Sequence, residues 1–248
     1  MGSILPKNSL MMKAILTGRG IGFLFIVFFG LALYGFFKSY FGLFPDFHER
    51  ITLITHLHSI SITLWMLILI IQPFLIHFKQ HRLHRQIGTL SYYFVSFLGI
   101  IIILQIRQAY LRGLANGVPQ TNLLAFQFVP LSAFTCSFWA YIMAMLNRKK
   151  RTAHRSYMVV HTLAMLWAAF GRMDYSWLGL QTFQQAIAVS YLPSACILAA
   201  ILVFEWVKEK KINRVYMAAL GVFLATPLFW YYCTESPLWQ GVARLIFE

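Results

Sequence analysis

The sequence predicts an all-α protein, a polytopic transmembrane bundle of about seven spanning helices, and three observations carry that prediction. Hydrophobic residues make up 59% of the 248 and charged residues 11%, with mean hydropathy +0.66, which excludes an ordinary water-soluble domain. Apolar runs of about 20 residues recur, each long enough to cross a hydrocarbon core of roughly 30 Å as a helix and too long for a barrel strand. Lysine and arginine gather in alternate connections, as the positive-inside rule requires.

The runs read as spans at about 20–41, 52–78, 86–111, 123–146, 156–179, 184–206 and 214–234. The first, IGFLFIVFFGLALYGFF, follows a modestly basic N-terminus with no small-residue cleavage site, so it reads as an uncleaved anchor. Pro6 stands where an acylation signal wants Ser or Thr, which argues against myristoylation. KQHRLHR joins spans two and three, RGLANGVPQT joins three and four, and NRKKRTAHR joins four and five. None is long enough to be a domain linker, so residues 1–248 read as one membrane domain. His-Arg opens the helix that follows each of the two basic junctions, a faint internal repeat. The fifth span is the weakest, interrupted by Gly171, Arg172 and Asp174, and the last ends before the turn-like TESP.

A cytoplasmic N-terminus puts fifteen of the 21 cations inside: Lys7, Lys13, Arg19, Lys79, Arg82, Arg85, Arg148, Lys149, Lys150, Arg151, Arg155, Lys208, Lys210, Lys211 and Arg214. Asp46, Glu49, Asp174 and Glu235 then fall outside. The expectation is an inner (cytoplasmic) membrane protein with its N-terminus in and its C-terminus out. The net charge of +14 is thereby assigned to topology and to a bilayer with anionic headgroups, and nucleic acid is not expected as a partner. Cys136, Cys196 and Cys233 show neither a disulfide framework nor zinc spacing.

The histidines divide by side. His77, His81, His84, His154 and His161 lie toward the cytoplasm, while His48, His56 and His58 lie toward the exterior. At about 100° per residue, steps of seven and eleven bring His154, His161 and Arg172 onto one line, with His161 about 10 Å along the helix from His154. On span two the same arithmetic groups His58, Ser61, Trp65 and Gln72, and puts His56 on another face with Ser59 and Thr63. Polar groups inside a span turn toward the bundle interior, because lipid exposure costs several kcal/mol. A b-type haem between helices needs two histidines at similar depth, and His84 with His154 or His161 meets that need, with Arg85 or Arg155 near the propionates. The plainer reading makes these residues interfacial, snorkelling toward lipid phosphates. A metal at His56 and His58 is a third possibility, although residues two apart point to nearly opposite sides of a helix.

Two stretches resemble an uncharacterised family of bacterial multi-spanning membrane proteins: HLHSISITLWMLILIIQPFLIHFKQHRLHRQIGTLSYYF (56–94) and AHRSYMVVHTLAMLWAAFGRM (153–173). The likeness rests on a His, a Gln-Pro, an HRxxG with a following tyrosine, and an HRxxM with a downstream arginine. It falls on His58, Gln72, Pro73, His84, Arg85, Gly88 and Tyr92, then on His154, Arg155, Met158 and Arg172. Val159, Val160 and His161 depart from it, where the family has an arginine or polar residue soon after the methionine. A looser likeness is to the transmembrane b-type cytochromes that take electrons from ascorbate; here the inner histidine pair is present and the outer lacks a partner.

The function expected first is therefore a haem-binding or redox-associated membrane protein with a polar His/Arg interior that includes Gln72, Tyr92, Met158 and Arg172. The alternative is a non-enzymatic structural or accessory subunit whose basic loops bind lipid or a membrane-protein partner. A small transporter is the third. No catalytic residue is assigned.

Overall fold

The computed structural model describes residues 18–47, 51–180 and 182–247. Lys7 and Lys13 of the expected anchor segment, and His48 and Glu49, lie outside the described residues. The described chain is helical without strands: α1 (Gly18–Phe37), α2 (Leu53–His77), α3 (His81–Ala115), α4 (Gln120–Leu146), α5 (Arg151–Met165), α6 (Trp167–Phe170), α7 (Phe183–Ser190), α8 (Leu192–Glu209), α9 (Arg214–Cys233) and α10 (Pro237–Phe247). Among the described residues six segments are long and apolar enough to cross a membrane: Arg19–Phe37, Leu53–His77, His81–Ala115, Gln120–Leu146, Gln185–Lys208 and Arg214–Cys233. The chain is a multi-pass membrane protein.

The helices follow from local chemistry adapted to an apolar solvent. Pro73, Pro130 and Pro227 lie within helices, which a membrane tolerates because neighbours re-satisfy the freed carbonyls. Thr63, Thr162 and Thr226 return their hydroxyls to carbonyls four residues back, at 2.7–2.9 Å. α2 ends with Lys79 at φ 61°, its N–H on the Ile76 carbonyl and the Gln80 N–H on that of Leu75. α3 ends the same way through Gly117 at φ 75°, where glycine adopts the left-handed conformation without a Cβ penalty.

α5 and α6 form the centre of the bundle. Residues 159–164 are buried in succession, so every face of the helix meets protein: α1, α2, α4, α8 and α9 surround it. This explains why the fifth segment is the least apolar of the series. A helix facing protein on all sides does not need the lipid-compatible surface that the outer helices carry, and it can bury Ser156, His161 and Thr162. The helix is interrupted at Leu166 and ends at Phe170, short of the 179 expected from the sequence; a short 3-10 turn at Ser176–Leu178 follows. The sixth span is likewise divided, at Tyr191. α3 starts five residues earlier than expected, which brings His84 and Arg85 into its first turns.

Two close approaches fix the packing. A Cβ on Gly35 of α1 would stand 2.5 Å from the Ala169 carbonyl oxygen, so α1 meets α6 backbone to backbone. Beyond TESP, where no further element is expected, α10 packs on the start of α4: Trp239 Nε1 donates to the Leu124 carbonyl at 2.9 Å, and Ala243 is fully buried with Leu124.

Candidate functional site

The connections 78–80, 147–150 and 210–213 share one end of the bundle, the basic end. His84 lies there within electrostatic range of both His81 and His154, on the first turns of α3 and α5. The His154 ring is fixed by α4: its Nδ1 donates to the Ala144 carbonyl at 2.8 Å, which leaves Nε2 as the nitrogen with a free lone pair. His84 Nδ1 and Gln72 Oε1 are both buried without hydrogen-bond partners, and the His84 ring approaches the backbone of Gln72.

His161 lies deeper and is held differently. Trp65 Nε1 donates to His161 Nε2 at 2.8 Å. An indole nitrogen only donates, so Nε2 accepts and the proton sits on Nδ1, facing the carbonyl and the hydroxyl of Ser137, each at 2.9 Å. The rings of Trp65 and Tyr141 pack on the imidazole with centroids 5.7 and 5.8 Å away. Both nitrogens are thus committed to α2 and α4 in a site that is 3% exposed, and His161 has no lone pair left for iron. The seven-residue spacing does put His154 and His161 on one face: both reach α4.

Arg172 leaves that line. After the break at Leu166 the chain turns toward α1, where the Arg172 guanidinium lies 4.5 Å from the Phe36 ring centroid and donates to the Ala168 carbonyl at 2.6 Å. His58 lies within electrostatic range of Arg172, with its Nδ1 buried and unpartnered, beside a cavity of about 30 Å³ between α1 and α2. That space holds about one water. His56 turns elsewhere, its Nδ1 2.9 Å from the Tyr40 hydroxyl and its ring against Phe47. The two histidines do not converge, and among the described residues no group of three His, Cys, Asp or Glu side chains could hold a metal ion.

The two arginines after the histidines separate. Arg85 is exposed. Arg155 pairs with Glu205 of α8 at 3.3 Å. Glu205 is 3% exposed, and its other oxygen accepts from Asn213 Nδ2 at 2.9 Å. Asn213 also donates to Ser156. A buried carboxylate needs such partners, and nothing in the local sequence around Glu205 announces them. Tyr92 accepts from Arg148 Nη1 at 2.8 Å on the outer face of α3. Met158 is half-buried against the core, with its carbonyl taking the Thr162 hydroxyl.

Judged as a haem site, the basic end offers one well-prepared ligand in His154 and one adaptable ligand in His84, on different helices and near one another. An axial histidine characteristically donates from its second ring nitrogen to a carbonyl, the arrangement His154 has with Ala144. His154 keeps the free ring nitrogen that such a group would need, and both nitrogens of His161 are already taken. Compared with protein-family models, curated proteins and solved structures, the chain matches none.

Proposed function

We propose that this multi-pass membrane protein binds a b-type haem at its basic end, with His84 of α3 and His154 of α5 as the axial pair. The observation that carries the reading is the His154 ring, locked through Nδ1 on the Ala144 carbonyl with Nε2 left free beside His84. When bound, the haem would supply one-electron redox chemistry. The chain's own contribution is orientation. Ala144 sets the His154 tautomer, and the Gln72 backbone lies beside the His84 ring, where it would orient the second ligand. Arg155 is engaged by Glu205, so Arg85 is the cation that would be available to the propionates.

The positive-inside rule makes the basic end cytoplasmic, with the N-terminus in and the C-terminus out, in a bacterial inner membrane. The HRxxG and HRxxM family resemblance belongs to the same proposal, since the histidines of these two motifs, His84 and His154, are the proposed ligands.

The test is a visible spectrum of the purified protein, oxidised and dithionite-reduced, after expression with haem supplied. A reduced α band is expected, abolished by His84→Ala or His154→Ala and retained in folded His161→Leu. A colourless wild-type preparation would sink the reading.

A further inference from the structure

On the outer face of the bundle, α3 and α4 enclose a groove of about 510 Å³ near the basic end, lined by neither proposed haem ligand. Its position follows from helical spacing: Tyr92, Val95 and Ser96 project from one wall, and Phe138, Tyr141, Ile142 and Met145 from the other. Phe138 packs over Gly99, where a Cβ would meet its ring at 3.5 Å. Tyr141 is held by Ser91, hydroxyl to hydroxyl at 2.8 Å. The body of the groove is apolar, and it opens between side chains that face the surroundings of the bundle, with Ile142 42% and Leu146 73% exposed.

Arg148 and Lys149 line the same groove from the connection after α4. Arg148 spends one donor on the Tyr92 hydroxyl, which fixes its planar head beside the opening. Among the described residues neither cation pairs with a carboxylate, the ion pair there being Arg155 with Glu205. A fixed guanidinium next to an ammonium matches a phosphate diester, which takes two parallel N–H donors from arginine. The volume lies within the range of sites that hold small molecules.

We infer that the groove between α3 and α4 is a specific site for an anionic phospholipid of the adjoining leaflet, with the phosphate on Arg148 and Lys149 and an acyl chain between Tyr92 and Ile142. Charge complementarity selects the anionic class, and the apolar body continuous with the lipid-facing surface selects an amphiphile over a free anion. The site is independent of any haem.

The experiment is a thermal melt of the full-length, delipidated protein in neutral detergent, titrated with phosphatidylglycerol, with phosphatidylcholine or with inorganic phosphate. Phosphatidylglycerol is expected to raise Tm by several degrees with saturation, and the other two to have less than a third of that effect. Arg148→Gln/Lys149→Gln should remove at least half of the shift. Ile142→Trp, which fills the groove and leaves every charge in place, should do the same, and it carries the test if the double variant does not fold. Lys79→Gln/Arg82→Gln, which removes equal charge from the neighbouring basic connection, should keep the shift. Equal stabilisation by phosphatidylcholine, an unchanged shift in Ile142→Trp, or an equal loss in the Lys79/Arg82 variant would overturn the proposal.

Discussion

His161→Leu measures what the deepest polar residue of the bundle does. Leucine approximates the volume of the imidazole, so the cavity contribution is small, and the loss comes from stranded polar groups. Trp65 Nε1, buried in a residue 1% exposed, loses its acceptor, at about 1–3 kcal/mol for an unsatisfied buried donor. Ser137 keeps its helical bond within α4 and loses the imidazole from its hydroxyl, at about 1 kcal/mol. The expected loss is about 2–4 kcal/mol. It is read by equilibrium unfolding in mixed micelles of SDS and a mild detergent. Trp65→Phe strands His161 Nε2 instead, and a double-mutant cycle between the two positions should give a coupling of about 1 kcal/mol. A His161→Leu protein within about 0.5 kcal/mol of wild type, a difference ordinary for surface substitutions, would refute the assigned tautomer and the bridge it makes between α2 and α4.

Gly35→Ala should lower stability by about 1–3 kcal/mol, because its Cβ meets the Ala169 backbone, whereas Gly30→Ala, with nothing within 4 Å, should be neutral or slightly stabilising in the same assay. Glu205→Ala should cost about 1–3 kcal/mol, less than the roughly 3–5 kcal/mol of a fully buried pair, because the Arg155 side chain is 23% exposed; a Tm unchanged within a degree would contradict the pairing. Trp239→Phe removes the bond to Leu124 and should raise amide exchange in α10 while α5 stays protected, read by hydrogen exchange with mass spectrometry. The Ser176 N–H holds the Asp174 carboxyl below the ordinary carboxylate range. A depressed value means that the turn is supported above the unfolded value of about 4 and loosens as pH falls through the folded one. Amide exchange at Ser176, referenced to the intrinsic rate, should rise only in that acid window.

Much of the bundle was legible because a membrane constrains sequence strongly. Apolar runs marked the outer helices, and Arg214–Cys233 lies within one residue of its expected bounds. Apolar patterning weakens where protein, and not lipid, is the solvent. α5 carries polar residues that weaken its apolar signal, and α6, which continues the segment to Phe170, packs on α1 at Gly35. α10 was missed because a helix lying against α4 needs only one apolar face, and eleven residues are too few to register as a span.

Composition and spacing along one helix suffice for the solvent, the helical class, the basic end, and the shared face of His154 and His161. Which histidine keeps a free nitrogen depends on contacts between helices. Trp65 and Ser137 lie 96 and 24 residues from His161, and Ala144 lies ten from His154 across a turn. Whether an imidazole accepts, donates or stays open is fixed by partners on other helices, and periodicity within one helix carries no record of them.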